Sequence, residues 1–182
     1  GVQPLRALQT TPIPLAQAID GTYDQHEGLA EKEHDCLYFV RYSQSSQTKR
    51  YVGGTTESIW VWCKEQTQAK ALWGGEPFGD GYKGTTKSPT WFYHQDTEYM
   101  LVLSDRVVGG VPGNDVGNME LYAIELPEGD IYVEDIPSNF IPLTSAFCDF
   151  DGMSVQEYSI DPTSGQMVIR VGADLYTTSF EQ

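Results

Sequence analysis

Four tryptophans, Trp60, Trp62, Trp73 and Trp91, stand close together in the chain with Tyr51, Tyr82 and Tyr93. The same stretch holds most of the basic residues: Arg41, Lys49, Arg50, Lys64, Lys70, Lys83 and Lys87. Flat rings beside positive charge can stack on the bases and neutralise the phosphates of single-stranded nucleic acid. The same rings can serve as platforms for sugars. Equally, they are what a core or a subunit interface uses, and Trp60 and Trp62, two apart, share one face of any strand that holds them. Core or interface is the first reading. A ligand-stacking platform built from Trp60, Trp62, Trp73 and Trp91 is the alternative.

Other chemistry finds less support. Of His26, His34 and His94, only His34 stands near a second metal-capable side chain, Cys36, and no CxxC or HxxxH completes a tetrahedral site. No G-x-S-x-G elbow is present, and no cysteine has an activating context. The acid pairs Asp149/Asp151 and Glu134/Asp135 are what chance supplies among 26 acidic residues. The runs Asp149–Gly152 and Asp80–Tyr82 lack the spacing of a calcium loop, and there is no P-loop or G-x-G-x-x-G run. No catalytic residue, cofactor or metal is expected, although a small hydrolase using His94 or His34 with an acid remains a rival.

Short strands would have to position these residues. Cys36–Tyr42, Tyr51–Val52, Ile59–Trp62, Thr90–Tyr93, Glu98–Ser104, Met119–Ile124, Ile131–Val133, Gln166–Val171 and Leu175–Phe180 are β-branched or aromatic runs separated by Gly/Pro/Asn/Asp loops. Cys63–Trp73, rich in Ala, Gln, Lys and Leu and stopped by Gly74-Gly75, reads as the one helix. Residues 1–35 read as an extended, proline-bearing arm, with one short turn over Leu15–Asp20 and an acidic loop over Gly21–Asp35. Residues 36–182 read as a single β-sandwich domain, an eight-stranded jelly roll.

The chain has 182 residues and a net charge of −15, with 40% hydrophobic and 12% aromatic residues, a composition that folds. No apolar run is long enough for a membrane helix, and the N-terminus lacks the basic and apolar regions of a signal peptide. No membrane partner is expected. Three cysteines at wide spacings make no complete disulfide framework, which points to a reducing compartment. The charge is segregated: −4 over residues 1–40, +3 over 41–87 and −14 over 88–182. Such sidedness suits a molecule whose two ends face different environments.

The segment Met167–Phe180 resembles the closing strand of picorna-like viral capsid proteins, with a β-branched run, the step Arg170-Val-Gly-Ala-Asp-Leu175 and a final aromatic. Gly1 and Gln182 match the flanks left by cleavage at Gln/Gly junctions of such a polyprotein, and the proline-bearing arm is similar to arms that lace coat subunits together. Plant and insect viruses with several small coat proteins are nearest in size. The resemblance implies a non-enzymatic jelly-roll subunit of an icosahedral shell, found in the virion and, during assembly, in the host cytoplasm. Its partners would be other capsid subunits, a host receptor, and genomic RNA met weakly and non-specifically through residues 41–87, which would face inward. The alternative is a projecting β-sandwich that binds carbohydrate or receptor through its tryptophans.

Overall fold

A computed structural model describes residues 18–24, 36–41, 56–63, 66–74, 82, 84–106, 118–126, 139–144 and 153–180. Among the described residues there are eleven strands: β1 (Ala18–Asp24), β2 (Cys36–Arg41), β3 (Ser58–Cys63), β4 (Lys70–Trp73), β5 (Thr86–His94), β6 (Thr97–Ser104), β7 (Glu120–Glu125), β8 (Phe140–Pro142), β9 (Val155–Ile160), β10 (Gln166–Val171) and β11 (Asp174–Ser179). They form three antiparallel sheets, ordered β1-β2-β3-β4, β5-β6-β7-β8 and β11-β10-β9. The described chain is therefore all-β. In each sheet, chain neighbours are hydrogen-bonded neighbours, the order of a meander.

The second sheet lies in the middle. Along β6 and β7, alternate residues point to opposite faces, and both faces are buried. Met100, Val102, Tyr122 and Ile124 meet Tyr38, Val40, Ile59, Val61, Leu72 and Trp73 of the first sheet. Tyr99, Leu101, Leu103, Leu121 and Ala123 meet Val155, Met167, Ile169 and Val171 of the third. The two apolar layers bracket the middle sheet, which explains why β6 reads as the unbroken run Tyr99–Leu103.

Specific contacts fasten the layers. The Tyr158 hydroxyl on β9 lies within hydrogen-bond distance of the Ser88 carbonyl, Thr90 Oγ1 (3.0 Å) and the Leu101 carbonyl (2.9 Å). A register shift at Ser88-Pro89, with Ser88 at φ +52°, turns that carbonyl out of the β5–β6 ladder. Between the first two sheets, Thr86 N–H donates to the Glu57 carbonyl (3.0 Å) and Lys87 pairs with Glu57 (3.6 Å). Gly74, at φ +81°, sits against these groups: a Cβ there would lie 3.1 Å from both the Glu57 carbonyl oxygen and Thr86 Cβ.

Three expectations change. The helix over Cys63–Trp73 is absent, because Lys70–Trp73 is β4, paired with β3 as Ile59↔Trp73 and Trp60↔Ala71. Residues 64–70 offer no apolar stripe at helical spacing, and burying Leu72 and Trp73 at a sheet edge outweighs local propensity. Ala18–Asp24 is a strand paired with β2, replacing the turn and the start of the acidic loop. Finally, Cys36 and Cys63 form a disulfide, since β2 and β3 bring them directly opposite each other with Cα atoms 4.0 Å apart. The expected strands Tyr51–Val52 and Ile131–Val133 lie outside the described residues, as do Cys148, His26 and His34.

Candidate functional site

The four tryptophans do not converge. On β2 and β3 the pairs Cys36↔Cys63, Tyr38↔Val61 and Val40↔Ile59 face the middle sheet, so the alternating pairs Leu37↔Trp62, Phe39↔Trp60 and Arg41↔Ser58 occupy the opposite face. Trp60 and Trp62 thus share a face, as their spacing requires. Trp73 points the other way, is 0% exposed, and meets Phe140 edge-on at 6.3 Å. Trp91 is half-buried against that same core. The four rings do not share one surface, and Trp73 is enclosed in the core.

The outer pair is itself engaged. Trp60 is only 8% exposed, its indole N–H donates to Ser58 Oγ (2.9 Å), and the Arg41 guanidinium lies 4.1 Å from its ring centre. Arg41 also stands 5.5 Å from the Phe39 ring. The Trp62 indole N–H donates to the Gln66 carbonyl (2.9 Å), closing the turn that leads into β4. This face therefore uses cation–π contact and indole hydrogen bonds to fix its own strands. Trp62 is its half-buried margin. Of the basic residues of segment 41–87, Arg41, Lys70 and Lys87 are described; Arg41 caps Trp60 and Lys87 pairs with Glu57.

A polar cluster that the sequence did not announce sits at the end of β6. The Arg106 guanidinium lies 3.4 Å from the Phe140 ring centre and 4.4 Å from that of Tyr82. It donates to Ser104 Oγ (3.3 Å) and Thr86 Oγ1 (3.4 Å). Ser104 Oγ donates to the Thr85 carbonyl (2.9 Å), which leaves the Thr86 hydroxyl as donor to Ser104. Asp105 accepts from the Tyr82 hydroxyl (2.8 Å) and Thr85 N–H (2.7 Å), and the Tyr122 hydroxyl donates to the Arg106 carbonyl. Burial, reinforced by Asp105, pushes the Tyr82 phenol well above its ordinary value. Burial, then Glu120, raises Tyr122 to about 12. Neither phenol loses a proton near neutral pH, so the cluster is a latch between β5, β6 and β8. Its dipeptide, Asp105-Arg106, follows an apolar strand and gives no spacing signal.

His94, a candidate for hydrolysis, stacks on Phe92 at 5.6 Å and meets Phe180 edge-on at 5.4 Å. Among the described residues, no three His, Cys, Asp or Glu side chains gather in a group that could hold a metal. The acid pairs Asp149/Asp151 and Glu134/Asp135 lie outside the described residues.

The remaining feature is the β10–β11 hairpin, which contains the residues that carry the capsid resemblance. Its turn is Gly172-Ala173, with Gly172 at φ +61°, as a two-residue type II′ turn requires. Alternate β10 residues, Met167, Ile169 and Val171, are buried against the middle sheet. β11 forms the margin of the stack, and Leu175 is 69% exposed. No protein-family model, curated protein or solved structure matches the chain.

Proposed function

We propose that the chain is a non-catalytic structural subunit of a picorna-like viral capsid, which acts by burying strand edges and faces against other coat subunits. One observation carries the reading: the Met167–Phe180 segment, on which the resemblance rests, is the hairpin that presents an apolar margin, with Leu175 and Val168 exposed. An exposed apolar strand at a sheet edge is a template for association. The jelly-roll form of the sandwich belongs to the same proposal; the described strands pair in chain order. So do residence in the virion, a host receptor, and an inward-facing 41–87 segment in weak contact with RNA.

The test is co-production with companion coat proteins, followed by negative-stain electron microscopy and limited proteolysis of particles. Shells containing the chain, with residues 41–87 protected from external protease, are the expected result. A monomer that joins no particle removes the reading, and external cleavage within 41–87 removes the orientation.

The carbohydrate- or receptor-binding alternative narrows to Trp62 and Trp91, the two half-buried rings. Saturable quenching of tryptophan fluorescence by a specific glycan, lost in Trp62→Ala, would favour it over the coat reading.

A further inference from the structure

The third sheet has one face on the middle sheet and one turned away from it. Met167, Ile169 and Val171 of β10 are buried in the shared core, so the alternate residues Val168 and Arg170 point outward. The ladder sets Ser159 and Glu157 of β9 beside them on one side, and Thr177 and Leu175 of β11 on the other. All but the half-buried Arg170 are exposed, Val168 at 42% and Leu175 at 69%. The charges of this face cancel, because Arg170 Nη2 meets Glu157 Oε1 at 3.0 Å. The sequence around it is otherwise strongly acidic. Residues 88–182 hold sixteen Asp and Glu against two Arg, and the other of these, Arg106, is engaged in the latch.

We infer that this face stacks on the same face of a second copy, about a two-fold axis that crosses the strands between Val168 and Arg170. Each strand then lies over its own counterpart, running the opposite way, with the two sheets ~10 Å apart as in a sandwich. Leu175 of each copy rests on Thr177 and against Val168 of the other, the Arg170 stem covers Val168, and Glu157 faces Ser159. Apolar groups meet apolar groups, and each charge meets a neutral residue. An axis along β10 would set Arg170 on Arg170, and one between β9 and β10 would leave both Leu175 side chains uncovered. Charge selects the occupant. A basic partner would be drawn to the acidic surfaces and a nucleic acid repelled by a chain at −15, whereas a second copy, itself at −15, can approach only where the charge cancels. Strand spacing and rise give the face about 300 Å² per copy, well under the ~800 Å² of a standard interface, so the isolated dimer is weak. Salt tightens it by screening the repulsion between the copies. The inference rests on the reading that the chain works by association, and names one partner for it.

The test is sedimentation of the full chain up to about 0.5 mM, a concentration that populates a weak dimer. Leu175→Asp places an unpaired charge in the contact, so it should leave the circular dichroism unchanged while weakening the dimer at least about tenfold. Val168→Asp makes the same test at a second exposed position, should Leu175→Asp fail to fold. Gln95→Asp, the same change of charge at an exposed turn of the middle sheet, should alter the dimer by less than about twofold. The register has its own test: Leu175→Asp mixed with Thr177→Lys should pair more tightly than either variant with itself, because the axis sets position 175 over position 177. Raising salt from about 0.05 to 0.5 M should strengthen the parental dimer.

A dimer indifferent to a folded aspartate variant overturns the stacking. Dimerisation gained only on deleting residues 1–17 overturns it and gives the face to that segment of the chain. Aspartate variants that sediment as the parent does yet no longer join companion coat proteins overturn it and give the face to a companion. A parent that stays monomeric while still entering shells overturns the stacking and leaves the coat reading standing. A dimer that Leu175→Asp weakens, but that never enters a shell, keeps the stacking and removes the coat reading.

Discussion

Glu120 is 9% exposed, and burial pushes its carboxyl above the ordinary value of 4.5, although the Thr144 hydroxyl donates to it and partly offsets the rise. A raised folded pKa means that the native state holds the proton more tightly than the unfolded chain. The contribution to stability is full below 4.5 and is lost as pH climbs through the raised value. Glu120→Gln keeps an acceptor for Thr144 and carries no charge. Urea midpoints from about pH 4 to 7 should therefore fall in the parent relative to the variant; parallel profiles would contradict the burial argument. Arg106 gives a second test, since its planar cation touches two rings and two hydroxyls. Arg106→Ala should cost about 2 kcal/mol and Arg106→Lys should restore little of it, because an ammonium cannot lie flat between rings and keep both bonds. At this scale the sequence was partly readable. The shared face of Trp60 and Trp62 follows from spacing alone, but which face meets the core depends on the neighbouring sheet. Trp73, inside that core, looks identical in sequence to an exposed ring. The Arg106 latch gathers residues from distant strands and leaves no local pattern.

Elements are legible where two signals agree. β6, β7, β10 and β11 show apolar runs or alternation bounded by turn residues, and they form where expected. The His94–Thr97 turn was also expected, yet it places Gln95 (φ +47°) and Asp96 (φ +62°) in left-handed conformations that favour Asn-Gly. Gln95→Asn with Asp96→Gly should raise stability by about 1 kcal/mol in a denaturant titration; a loss would mean that the Tyr93–Asp96 contact outweighs the backbone relief. β4 was misread because Ala, Gln, Lys and Leu favour a helix locally although they carry no apolar stripe, and β8 and β9 were not anticipated because they are short or polar. The disulfide was missed because strand register, which no cysteine count reveals, sets Cys36 opposite Cys63. Its 27-residue separation makes it worth about 3.5 kcal/mol by loop closure. Cys36→Ala with Cys63→Ala should lose that much. Alkylation of the unreduced, denatured chain should label Cys148 alone, and three labelled thiols would contradict the bond.

At the scale of the molecule, the middle sheet is buried on both faces, with Tyr38, Trp73, Tyr122 and Phe140 in one layer and Phe92, Tyr99 and Phe180 in the other. The chemistry visible among the described residues is spent on holding strands together: cation–π caps, tyrosine clips and a latch. Outward, the described residues present the exposed apolar side chains of Met153, Val168, Leu175 and Tyr176. Charge is segregated along the chain, +3 over residues 41–87 against −14 after them, and in the proposed shell this would set which way each segment faces. The proposed role is association with coat subunits. Negative-stain electron microscopy of the chain produced together with companion coat proteins tests it most directly. Closed shells of uniform diameter that contain the chain are predicted; a monodisperse monomer, with no particle containing it, would contradict the claim.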